Sequence, residues 1–116
     1  MTNLKMKDGH LSASFSFPAE FIGFQGHFPD APVLPGICMI QAFLVMHAAH
    51  RGRDFRLNTV LAAKFTGVIG VDQACVFTLA ERAGKAPGEH RLTGVIQRQG
   101  EQVATLKLLV TAETEK

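Results

Sequence analysis

The sequence has 116 residues, 47% of them hydrophobic and 19% charged, which supplies the core of one globular domain and leaves no room for a second; residues 1–116 are read as a single domain. Lys and Arg exceed Asp and Glu by only two, and no aromatic residues alternate with a basic run, so a nucleic-acid surface is not expected. The longest apolar run, Ile37 to Ala49, is interrupted by Gln41 and His47 and is shorter than the roughly 20 residues that cross a bilayer, so no membrane association is expected either.

Met1 to His10 is polar and mixed, without the basic and apolar stretches of a secretory leader, which points to a cytoplasmic protein. In such a chain Cys38 and Cys75, which lack metal-type spacing, are expected to be reduced and buried. From His10 to Phe17 the residues alternate, with Leu11, Ala13, Phe15 and Phe17 on one side and Ser12, Ser14 and Ser16 on the other. That period of two predicts a half-buried strand, ended by Pro18. Ala19 to Leu34 is punctuated by prolines and reads as a loop.

Pro35 suits a first helical position and Gly52 a left-handed cap, which predicts a helix over about Pro35 to His50. Ile37, Met39, Ile40, Ala42, Phe43, Leu44, Val45, Met46, Ala48 and Ala49 leave it no polar stripe, the pattern of a helix enclosed by other structure. Four strand-like segments follow, Leu57 to Ile69, Gln73 to Ala83, Glu89 to Arg98 and Gln102 to Ala112. Gly84-Lys85-Ala86-Pro87-Gly88 and Gln99-Gly100 read as hairpin connections, so the later strands should pair antiparallel. The expected class is α+β, one long central helix wrapped by a curved antiparallel sheet. A lone sheet of this size leaves edges and an open end uncovered, so a dimer or higher oligomer is expected.

The stretch from Phe24 to Phe43 carries the chemistry. It contains Gly26-His27-Phe28-Pro29, a short spacer, and Pro32-Val33-Leu34-Pro35-Gly36 opening the helix. This strongly resembles the signature of the hot-dog-fold 3-hydroxyacyl-acyl-carrier-protein dehydratases, and Lys64-Phe65-Thr66-Gly67-Val68-Ile69-Gly70-Val71-Asp72 resembles that family's next strand and turn. The resemblance implies the hot-dog fold and a lyase of fatty-acid or polyketide-type biosynthesis. Its substrate would be an acyl thioester on the phosphopantetheine of an acyl carrier protein or of CoA, with no metal or redox cofactor. It also implies sites formed between the helix of one subunit and the loop of another.

Eliminating water from a 3-hydroxyacyl thioester needs a base for the C2 proton, an acid for the departing hydroxyl, and a group that polarises the carbonyl. By its place in the motif His27 matches the family's base, and an imidazole with an ordinary pKa near about 6.5 can accept a proton at neutral pH. Outside the motif it would read as a loop histidine bonded to its neighbours. Gly36 matches the glycine whose N–H clamps the thioester oxygen at the positive end of the helix; taken alone it would read as a close-packing residue. Phe28 and Pro35 flank these two in the substrate-binding stretch.

The family's acidic position is Gln41 here. A carboxamide forms hydrogen bonds but supplies no proton. Three consequences are open: His27 serves as both base and acid, with or without a water held by Gln41 as relay; another acid such as Glu20 or Asp30 reaches the site; or the chain is an impaired subunit paired with a paralogous dehydratase that supplies a carboxylate. A thioesterase on the same fold is a further alternative, for which Gln41 is a poor activator of water.

His47 and His50 stand three apart, a spacing that can turn two imidazoles to one side of a helix. No third ligand is evident in the sequence, and no metal is expected. Arg51, Arg53, Arg56 and Lys64 follow the helix, where the family meets its acidic carrier protein; a basic patch there would speed and orient that encounter.

Overall fold

The computed structural model describes residues 1–21 and 33–113. In chain order they form β1 (Thr2–Lys7), β2 (His10–Phe15), α1 (Gly36–Arg51), β3 (Phe55–Phe65), β4 (Cys75–Ala83), β5 (Glu89–Arg98) and β6 (Glu101–Ala112). The strands make one sheet in the order β1-β2-β4-β5-β6-β3, every neighbouring pair antiparallel. The expected α+β arrangement is what forms: the inward rows of the strands bury against α1. No helix among the described residues is long and apolar enough to cross a membrane.

The hairpins follow turn chemistry. Gln99 and Gly100 both take positive φ between β5 and β6, as a two-residue primed turn demands. Asp8 and Gly9 do the same between β1 and β2. β1 is a further strand, not expected from the sequence: its residues are exposed at nearly every position, and its cues are short, the Leu4-Lys5-Met6-Lys7 alternation and the Asp8-Gly9 step. β2 ends at Phe15 and not Phe17. β3 begins two residues earlier than expected and ends at Phe65, after which the Thr66 and Gly67 N–H groups both donate to the Val103 carbonyl and the chain turns inward to bury Ile69.

Helix α1 ends as expected, with Gly52 at φ 70° donating its N–H to the Ala48 carbonyl at 2.8 Å. Its start differs by one residue: Pro35 is the cap, in extended conformation, and Gly36 is the first helical residue. The expectation that α1 is enclosed is corrected. Cys38, Met39, Ile40, Ala42, Phe43, Met46 and His47 are buried, but Ile37, Gln41, Val45 and Ala49, spaced every four residues, stand exposed in one row. A sheet covers only one side of a helix. The uncovered row is apolar apart from Gln41, with Ile37 56% and Val45 52% exposed.

Candidate functional site

The beginning of α1 is fixed from both sides. The Leu34 N–H donates to the Ile69 carbonyl at 2.7 Å, tying the chain before the helix to the segment after β3, and the Pro35 carbonyl accepts from the Cys38 N–H at 3.0 Å. No described residue takes up the Gly36 N–H; it is one of the donors that a helix start leaves over. A β-carbon on Gly36 would stand 2.9 Å from Cζ of Phe65, so the glycine also lets that ring close over the helix start. Packing and an available N–H coincide at this residue.

Gln41 lies five residues further, in the exposed row between Ile37 and Val45. It is exposed and has no hydrogen-bond partner among the described residues. Ile37, Phe65 and Val68 leave large apolar surfaces exposed around this end of the helix. The arrangement offers a backbone donor and a carboxamide at the margin of an apolar surface, suited to a polar head on an apolar chain. His27, Phe28 and Asp30 lie outside the described residues. Glu20 is exposed in the turn after Pro18.

The four basic residues do not form one patch. The Arg51 guanidinium is committed to Glu81, donating to both carboxylate oxygens, with Nε at 3.0 Å from Oε1. Arg53 and Arg56 line a groove of about 570 Å³ with Pro87, Gly88, Thr111 and Glu113, and Arg53 also donates to the Glu113 carbonyl at 3.1 Å. Lys64 stands eight residues along β3 from Arg56, roughly 25 Å at the usual strand rise, beside Lys107.

At the other end of α1 the structure assembles a group that spacing alone did not reveal. His47 is 1% exposed, and its Nε2 lies 3.0 Å from His90 Nδ1 and 3.3 Å from Glu81 Oε1; His90 Nδ1 lies 2.8 Å from the same oxygen. Glu81 and His90 are diagonal neighbours across β4 and β5, where Ala83 pairs with His90 and Glu81 precedes it by two. They end two inward rows, Cys75-Phe77-Leu79 on β4 and Ile96-Gly94-Leu92 on β5, all buried. A polar residue at the next inward position of each strand was the signal present in the sequence. The Phe55 ring covers both imidazoles, at 4.3 Å from His47 and 5.0 Å from His90 between centroids.

Burial pushes the His47 pKa down to about 4, against the opposing charge of Glu81 and with that of His90, Arg51 and His50. Burial works to raise the Glu81 carboxyl, yet the hydrogen bond from Arg51 and the neighbouring His47, Arg51 and His90 charges bring it below the ordinary value. At neutral pH the group is therefore a carboxylate with a neutral His47. His50 does not pair with His47; it lines a cavity of about 80 Å³ with His47, Glu81, Leu11 and Leu79.

Residues 3–107 match the family model described as ApeI-like, ApeI dehydratase. No curated protein sequence matches the chain. Among solved structures, the dehydratase heterocomplex ApeI:P from Xenorhabdus doucetiae is similar, at 20% identity and a TM-score of 0.72 over 90% of this chain and 89% of that one. A hypothetical thioesterase from Streptococcus pneumoniae, solved with coenzyme A, matches at 11% identity and a TM-score of 0.69, over 97% and 84%. A Streptococcus mutans protein bound to acetyl CoA matches at 7% identity and 0.68, over 97% and 88%. At these identities the likeness establishes the fold, the hot-dog form of the α+β class.

Proposed function

The chain belongs to the ApeI-like dehydratase family, and on that premise we propose that it acts as a cytoplasmic dehydratase on 3-hydroxyacyl thioesters carried on phosphopantetheine. His27 takes the C2 proton, the electron pair forms the C2–C3 double bond, and the C3–O bond breaks to release water. The Gly36 N–H holds the thioester oxygen, whose negative charge grows as the proton leaves. Gln41 orients the C3 hydroxyl by hydrogen bonding, and the proton that this hydroxyl gains on leaving comes back from His27. The observation that carries this reading is the pairing, among the described residues, of a Gly36 N–H that none of them takes up with an exposed Gln41 carboxamide that none of them bonds, at the apolar margin of the same helix start.

A second reading has its own support. The row that holds Gln41 is uncovered in a single chain, and the Xenorhabdus dehydratase is a heterocomplex. On that reading this chain is the subunit that lacks the acid and receives a carboxylate from a paralogous partner. Gln41→Glu separates the two. For a self-sufficient dehydratase limited by its missing acid, the substitution raises the rate on a 3-hydroxyacyl carrier substrate by about tenfold or more. A variant that folds and binds an acyl-pantetheine analogue without gaining rate favours the partner subunit, whose activity then appears only on adding the second chain.

A further inference from the structure

We propose that His47 Nε2, Glu81 Oε1 and His90 Nδ1 form a binding site for one divalent transition-metal ion of the zinc type, at the end of α1 away from the acyl-thioester site. The three atoms make a triangle with sides of 2.8, 3.0 and 3.3 Å. Three ligands held at about 2.0–2.1 Å from a tetrahedral zinc ion stand about 3.3 Å from one another, so the triangle needs little opening to become one face of that tetrahedron.

Hydrogen bonds do not satisfy the same triangle. An ionised Glu81 brings no proton, and each imidazole nitrogen brings at most one. If both nitrogens donate to Oε1, the two N–H groups face each other across the 3.0 Å edge. If His90 shares its proton between Oε1 and His47, the lone pairs of His47 and Glu81 face each other across the 3.3 Å edge. A cation placed above the triangle satisfies all three atoms at once.

The surroundings fit an ion. Two imidazoles and one carboxylate are a donor set that suits zinc and its neighbours and not magnesium, which prefers oxygen ligands. The Phe55 ring closes one side, and the cavity of about 80 Å³ lined by His47, His50 and Glu81 leaves room for a water or the His50 ring as the fourth ligand. Arg51 can keep Oε2 while Oε1 turns to the metal, orienting the carboxylate from outside as outer partners of metal ligands do. An ion here would clasp the end of α1 to β4 and β5.

The test strips the full chain with EDTA and titrates it with Co²⁺, then Zn²⁺, with Mg²⁺ as the control. The proposal expects one ion per chain, the visible absorption of four- or five-coordinate cobalt, and a melting temperature that rises with Zn²⁺ and not with Mg²⁺. Glu81→Gln and His90→Gln should each weaken Zn²⁺ by more than about a hundredfold, beyond what loss of an outer partner costs. Arg51→Ala should leave the affinity equal or tighter, and His10→Ala unchanged. Zn²⁺ binding that survives Glu81→Gln and His90→Gln, or no binding above that of these variants, overturns the site. Should the variants not fold, X-ray absorption on the Zn²⁺-loaded natural chain decides: two imidazoles and a carboxylate oxygen support it, and any other ligand set rejects it.

Discussion

Gly94 of β5 lies so close beneath the Phe43 ring of α1 that a β-carbon there would stand 2.5 Å from Cζ and 2.8 Å from both Cε atoms. Phe43 is fully buried and packs on Phe77 at 5.1 Å between centroids, so the ring has nowhere to retreat. Gly94→Ala should lower the unfolding free energy by about 1–3 kcal/mol, the usual range for overpacking, although alanine alone would favour the folded chain. Phe43→Leu in the same chain should return part of the loss. Denaturant melts of the natural chain, the two single variants and the double variant check both, and an unchanged midpoint for Gly94→Ala would contradict this contact.

His47 sets a pH dependence in the metal-free chain. Its ordinary pKa of 6.5 falls to about 4 on folding, so between these values the unfolded chain holds a proton that the folded chain does not. Stability is therefore full above about pH 6.5 and declines as the pH drops toward 4, by on the order of 3 kcal/mol in all. Glu81, held below its ordinary value, adds a loss in the same direction at still lower pH. Denaturation midpoints between pH 7 and 4.5 should fall for the natural chain and flatten for His47→Gln.

His27→Ala should remove about 10²- to 10⁴-fold of any hydratase or dehydratase rate on crotonyl or 3-hydroxyacyl carrier thioesters, the range that a general acid–base group contributes. The fold should survive. Retention of most of the rate would exclude His27 as the base.

The uncovered row of α1 and the edge strand β3, which leaves Val60, Leu61 and Phe65 exposed, are the parts of the surface most in need of a partner. Val45→Glu and Leu61→Lys should each shift the protein toward monomers in light scattering at micromolar concentration. A natural chain that is already a folded monomer under those conditions would rule out the assembly.

On the proposed function, an acidic carrier protein would meet Arg53 and Arg56, since Arg51 is held by Glu81 and Lys64 lies at the far end of β3. Replacing both with alanine should slow association with the carrier and reduce its salt dependence. Lys64→Ala should change neither. Equal effects from all of these positions would restore a single basic patch.

The sequence by itself determined what depends on short range. The alternation from Leu11 to Phe17, the Gln99-Gly100 turn, the Gly52 cap and the apolar run after Pro35 each act through bonds and sterics among residues a few places apart, and they specify one helix and a set of antiparallel strands. The Gly-His-Phe-Pro and Pro-Gly steps carried the resemblance to the dehydratases. Only the tertiary structure decided the rest. β3 pairs with the last strand, β6, and not with a sequence neighbour, because the strand order follows from which faces can be buried together. The same folding exposes Gln41, although its helix reads as apolar all round, and it brings His90 to His47 across 43 residues. No local period records a meeting of that kind: a contact between a helix and a distant strand costs nothing in local propensity and leaves only an inward polar residue on each.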